Sequence, residues 1–147
     1  MGKRKGSRPP IRGSGGCLCG AVRYEVRGPL RAVGDCHCTQ CRRTSGHFAA
    51  FTATRPEALV LTDSEGLRWY RASASSRRGF CGICGSSLFW EPASGDRVSI
   101  AASTLDPPTG LETAAHVFVE DAGDYYEIGD GLPQRADGDH GITIPAD

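Results

Sequence analysis

Three cysteines within six residues, Cys36-His37-Cys38-Thr39-Gln40-Cys41, constrain this chain more than any other feature. Thiols this close are metal ligands before they are anything else. Around a tetrahedral zinc ion the Zn–S bond of ~2.3 Å puts neighbouring sulfurs roughly 3.8 Å apart. Same-face residues of an extended strand sit ~6.5 Å apart. The chain must therefore leave its strand here and turn, and a short helical turn over Thr39–Arg43 brings Cys41 back to the other two sulfurs.

The remaining cysteines form two pairs, Cys17-Leu18-Cys19 and Cys81-Gly82-Ile83-Cys84. Seven thiols divide most naturally as four plus three. The two distant pairs can close one tetrahedral site of four thiolates, joining the first strand to a late hairpin. The triplet can hold a second zinc with one position unfilled. A closed four-thiolate site is the structural pattern, and three protein ligands with an open position is the catalytic one. For the triplet's fourth ligand, Asp35, His47 and His116 are alternatives to an open position. His37 points away from the metal if both flanking cysteines face it, and a hydrogen bond that holds the loop is its expected role. His116 lies on an alternating strand, where a core or surface histidine is the default.

The 147 residues amount to one domain, and a metal staple adds stability at this size. A disulfide framework would leave one of the seven cysteines over, and the short spacings favour metal over bridges. The thiols therefore predict a reducing, cytoplasmic setting. With 17 basic and 17 acidic residues the net charge is zero, so nucleic acid is not an expected partner. No apolar run approaches a membrane span, so no membrane partner is expected either. Residues 1–14 are rich in Gly, Ser, Pro and basic side chains and read as a disordered basic tail. Residues 15–136 form the zinc domain, and 137–147 read as a loose C-terminal tail.

Between these ends the chain reads as short strands and glycine-rich turns. Ala21–Val26 alternates apolar and polar, as a half-buried strand does. Further strands are expected over Leu30–Val33, His47–Thr54, Ala58–Thr62, Leu67–Arg71, Ser75–Phe80, Ser86–Trp90, Val98–Ala101 and Ala114–Glu120. Gly85, directly after Cys84, suits a knuckle turn that needs positive φ. No long amphipathic helix and no internal repeat is present. The fold class is mainly β: a small zinc-stapled domain of short antiparallel strands. Arg42, Arg43, Arg77 and Arg78 read as solvated by default; if an anionic small molecule binds, Arg42 and Arg43 are best placed to meet its carboxylates.

Three stretches together carry a resemblance: Gly16-Cys17-Leu18-Cys19-Gly20; Cys36 to Arg43 with Ser45-Gly46; and Phe80-Cys81-Gly82-Ile83-Cys84-Gly85. The set resembles the glutathione-dependent formaldehyde-activating family, to which centromere protein V also belongs. His116-Val117-Phe118-Val119, Tyr125-Tyr126 and Leu132-Pro133-Gln134 resemble its C-terminal part. The resemblance implies a β-tent fold and two zinc ions per chain. It implies that Cys17, Cys19, Cys81 and Cys84 hold the structural zinc, and Cys36, Cys38 and Cys41 the catalytic one. The implied activity is that of a carbon–sulfur lyase, S-(hydroxymethyl)glutathione synthase-like, adding a small thiol such as glutathione to formaldehyde or another small aldehyde. No residue signature for glutathione contacts is present. The alternative is a zinc-stapled binding module without enzymatic activity.

Overall fold

The structure is a computed structural model and describes residues 8–147. The basic residues Lys3, Arg4 and Lys5 of the expected tail lie outside the described residues. Among the described residues ten strands and one α-helix follow in chain order: β1 (Gly13–Gly16), β2 (Arg23–Val26), β3 (Val33–Cys36), α1 (Thr39–Ser45), β4 (Ala49–Thr54), β5 (Leu59–Asp63), β6 (Leu67–Ser73), β7 (Ser76–Cys81), β8 (Ser87–Pro92), β9 (Val98–Ala101) and β10 (Thr113–Val117). The domain is mainly β, as the sequence pattern predicts. No helix is long and apolar enough to cross a membrane among the described residues.

The strands form two sheets. One has the order β1-β2-β5, and the other β10-β3-β4-β9-β8-β7-β6. In β2 the alternation does what period two dictates: Tyr24 and Val26 are buried, and Arg23 and Glu25 are half-buried. The main core joins these β2 residues to Leu88 and Phe89 of β8, Val98 and Ile100 of β9, and Cys17 and Cys81. Tyr24 meets Phe89 edge-on at 5.4 Å between centroids. β9 is buried at every position, which explains its unbroken small and apolar run in place of an alternation.

Three details depart from the sequence expectation. The strand expected over Leu30–Val33 is β3, which starts at Val33 and carries Gly34 and Asp35 before Cys36. Upstream of it Arg31 donates its amide to Ala53, outside the regular ladder. The strand after the helix starts at Ala49, because Gly46 ends α1 in the left-handed region at φ 82° and His47-Phe48 leave the turn as a ring cluster. Most pairings are antiparallel, but β10 runs parallel to β3, with His116 opposite Asp35 and Val117 opposite Cys36.

Residues near both ends make contacts with the sheets. Gly13 and Ser14 already pair with Val26 and Glu25. Within 137–147, Ile142 is buried, its Cδ1 lying against Gly34. Asp139 bonds Arg31 at 2.6 Å, and Arg55 reaches the carbonyl of Pro145.

Candidate functional site

The two cysteine pairs meet although they lie far apart in the chain. Cys17 and Cys19 occupy the turn between β1 and β2, Cys81 ends β7, and Cys84 sits in the knuckle before β8. Cys17 Sγ lies 3.7 Å from Cys19 Sγ, which lies 3.8 Å from Cys81 Sγ. These are the separations of neighbouring sulfurs around a tetrahedral metal ion. All four sulfurs fall within 4.8 Å of one another, so the set could hold a metal ion. Amide groups point at them: Val22 donates to Cys17, and Ile83 and Cys84 donate to Cys81. Such donors favour the thiolate that a metal needs. The Cys84 thiol is pulled down to about 5, chiefly by the Ser86 hydroxyl and amide.

Backbone geometry builds this knot. Gly85 adopts φ 82° and returns its amide to the carbonyl of Cys81, the positive-φ turn its position predicts. Gly66 touches the site from the β5–β6 turn. A Cβ there would stand 2.8 Å from Ala21 Cβ and 2.9 Å from Cys81 Sγ. Gly66→Ala is therefore expected to displace the Cys81 sulfur and to destabilise the fold by about 1–3 kcal/mol. Bound metal per chain should fall in the same variant, as read by elemental analysis beside a thermal melt. Wild-type metal content with a wild-type melt would show that the site tolerates the methyl group.

The triplet forms a second group whose sulfurs also lie within 4.8 Å of one another. β3 delivers Cys36 to the edge of the turn. Cys38 caps α1, its sulfur accepting the Cys41 amide at 3.4 Å, and the first helical turn brings Cys41 back. The local geometry is the short helical turn that the spacing predicts. Hydrogen bonds from Cys36 and Cys41 push the Cys38 thiol well down, while Cys36, as donor, is pushed up. Crowded thiols thus share protons among themselves, and a bound cation would take the protons' place. Among the described residues no His, Asp, Glu or further Cys joins these three as a fourth ligand.

The side chains that sequence spacing offered for that position are engaged elsewhere. His37 is fully buried between the flanking cysteines. Its Nδ1 meets the Tyr126 hydroxyl, and its Nε2 lies 2.9 Å from His116 Nδ1. His116 Nε2 in turn lies 2.7 Å from Asp130 Oδ2. A carboxylate only accepts, so His116 Nε2 carries a proton, and in the neutral ring its Nδ1 accepts from His37 Nε2. His37 Nδ1 is then the acceptor, and Tyr126 donates to it. Burial pushes the His37 ring down, and its neutral form is the one this chain of bonds uses. His47 packs edge-on against Tyr126. Asp35 stands 3.8 Å from His116, with burial raising its carboxyl. The bonds from Tyr126 to Asp130 tie the C-terminal segment to the back of the triplet.

The front of the triplet opens into a cavity of about 270 Å³. Cys36, Cys38 and Cys41 line it, with Phe51 and Trp90 as apolar walls and Arg31, Arg78 and Arg97 as cations. Arg78, on β7, places Nη2 3.5 Å from Cys41 Sγ and Nε 3.3 Å from Gln40 Oε1. The expectation that Arg42 and Arg43 meet an anionic ligand is therefore corrected: the arginines of the cavity come from other elements. Cys38 and Cys41 face the cavity. On a helix Arg42 and Arg43 are then rotated about 100° and 200° from Cys41, away from the cavity: Arg42 is half-buried and Arg43 exposed. A signal for Arg31 was present, since it is the one charge in the apolar run Leu30–Val33. None marked Arg78 apart from Arg77, which stacks over Trp69 at 3.8 Å and pairs with Glu91.

Comparison with known proteins gives one consistent result. The family model described as glutathione-dependent formaldehyde-activating enzyme matches residues 12–121. A Halomonas elongata protein, named as a candidate glutathione-dependent formaldehyde-activating enzyme, is 30% identical over 128 residues, covering 78% of this chain and 79% of that protein. An uncharacterized lyase of Schizosaccharomyces pombe is 28% identical over 118 residues, covering 78% of this chain and 83% of its own length. The crystal structure of a Rhodobacter sphaeroides protein is similar with a TM-score of 0.55 at 28% identity, over 64% of this chain and 88% of that one.

Proposed function

The chain belongs to the glutathione-dependent formaldehyde-activating family, and from that premise we propose that it adds a small thiol to formaldehyde or a similar aldehyde at the three-cysteine site. In this reading Cys17, Cys19, Cys81 and Cys84 hold a structural zinc, and Cys36, Cys38 and Cys41 hold a second, catalytic one. The observation that carries it is the triplet's setting: three sulfurs drawn together at the wall of a cavity, with no fourth protein ligand among the described residues. A closed structural site would instead have four protein ligands. The names of the relatives, a formaldehyde-activating enzyme and a lyase, agree with an enzymatic role.

The reaction balances without an oxidant or reductant. The substrate sulfur forms a bond to the carbonyl carbon, the C=O π bond breaks, and the thiol proton ends on the new hydroxyl. When bound, zinc would supply an open coordination position that favours the thiolate of a thiol whose ordinary pKa is ~8.5. The chain's own residues do the rest. The three cysteine thiolates outweigh the charge of a divalent ion, which keeps electron density on an incoming sulfur. Phe51 and Trp90 give the reacting atoms an apolar wall. The hydrogen bonds among Tyr126, His37 and His116 keep the loop of Cys36 and Cys38 in one conformation.

The test begins with metal content. Freshly purified, reduced protein is expected to carry two zinc ions per chain, and one or none would defeat the scheme. The second measurement is thiol-dependent aldehyde consumption above the uncatalysed rate, together with the sulfur count of the triplet zinc by X-ray absorption. Three sulfurs that become four on adding a thiol support the enzyme. Four protein ligands and no rate enhancement would instead leave a zinc-stapled binding module.

A further inference from the structure

The cavity beside the triplet has two cationic ends with different partners. At the end away from the sulfurs, Arg31 and Arg97 converge on one carboxylate, that of Asp139. Arg31 Nη1 stands 2.6 Å from Asp139 Oδ2, and Arg97 Nη2 stands 3.5 Å from Asp139 Oδ1. The Arg31 side chain is only 3% exposed, and its second amino group reaches the Phe51 carbonyl at 3.4 Å. The Nε atoms of both arginines are buried without a partner. Arg97 also packs over the Trp90 ring at 5.1 Å, and its remaining ion pair is with its own neighbour, the exposed Asp96. Two guanidinium groups closing on one carboxylate is how proteins bind a carboxylate ligand. Here the chain itself supplies that carboxylate.

At the other end Arg78 lies beside Cys41 Sγ and shares a hydrogen bond with the neutral amide of Gln40. No carboxylate pairs with it among the described residues. A single anionic group arriving with a substrate thiol would therefore find Arg78, close to the reacting sulfur. A second one would meet the Asp139 carboxylate already seated between Arg31 and Arg97, and like charges repel. Desolvation raises the Asp139 carboxyl, but the hydrogen bond and charge of Arg31 outweigh it, so the group stays ionised at neutral pH.

We propose that Asp139 determines substrate specificity: its carboxylate fills the Arg31–Arg97 clamp, so the cavity selects thiols with one carboxylate, held by Arg78 near the sulfur. This inference rests on the thiol-site reading above and names its substrate class. A thiol whose second carboxylate has no ammonium beside it is therefore the poorer fit to this wall. Asp139 acts by charge alone and has no part in the bond-making step.

The test is calorimetric binding of four thiols to the full, zinc-loaded chain: 2-mercaptoethanol, cysteamine, 3-mercaptopropionate and mercaptosuccinate. Wild-type protein is expected to bind 3-mercaptopropionate at least about tenfold tighter than the other three, the value of one charge-assisted contact. Asp139→Asn opens the clamp and should bring mercaptosuccinate up by about tenfold relative to 3-mercaptopropionate. A folded Asp139→Asn protein with an unchanged ratio overturns the inference. Should that variant fail to fold, Arg78→Gln decides. It is expected to erase the preference for 3-mercaptopropionate over 2-mercaptoethanol while zinc content stays at the wild-type level, and retention of that preference overturns the inference. Wild-type protein that binds the four thiols equally sinks this inference and leaves the thiol site standing. Wild-type protein that binds none of them defeats both.

Discussion

Cys81→Ala is expected to unfold the domain, or to lower its melting temperature by at least about 15 °C. Cys81 is fully buried at the end of β7, 3.8 Å from Cys19 Sγ, and it accepts the amides of Ile83 and Cys84. The sulfurs it joins come from points 62 residues apart in the chain. A metal ion held there closes a long loop and clips the β1–β2 turn to the β7–β8 knuckle. Metal affinity at such a site is folding free energy, on the order of 10 kcal/mol. That is comparable to the whole stability of a domain this size, about 5–15 kcal/mol. Cys81 and Cys17 also belong to the main core, so the alanine leaves a small cavity beside an incomplete ligand set. Thermal melts with and without a chelator give the answer. Wild-type protein should lose stability to the chelator and Cys81→Ala should have little left to lose. A variant that melts like the wild type would show that the four thiols do not hold the fold.

Cys38→Ala should have the opposite profile, with the fold kept and the chemistry gone. All three triplet ligands are local, within one turn and its flanking strand, so a metal bound there closes no long loop. The structural cost is the loss of a helix cap, since Cys38 Sγ accepts the Cys41 amide at 3.4 Å. Losing a cap costs about 1 kcal/mol. The melting temperature should therefore fall by no more than about 2–8 °C. With two sulfurs left, the triplet should bind zinc poorly. Thiol binding should disappear, and aldehyde consumption should fall to the uncatalysed rate. Zinc per chain should drop from two to one, the remaining ion being that of the four-cysteine set. If Cys38→Ala unfolds the protein as severely as Cys81→Ala, the triplet is a structural element and the enzyme reading loses its main support.

The division of seven thiols into four and three was legible in the sequence because the information is local. Spacings such as Cys36-x-Cys38-x-x-Cys41 dictate, through bond lengths and the pitch of one helical turn, which sulfurs can meet. The sequence likewise determined the turn glycine at Gly85, where a positive φ is a property of the residue itself. The β strands were readable wherever one face is buried, as in β2, since alternation records burial directly. What surrounds the sulfurs was decided by tertiary structure alone. The parallel pairing of β10 with β3 brings His116 to His37 across 79 residues, and no local pattern encodes a partner at that distance. Arg31 and Asp139 meet across 108 residues, in a segment whose composition reads as a loose tail. Asp139 and Ile142 of that segment contact Arg31 and Gly34 beside and on β3. Arg78 reaches the cavity, and Arg42 and Arg43 do not, because helix phase and strand position decide which way a charge points. Composition records only that the charge is there.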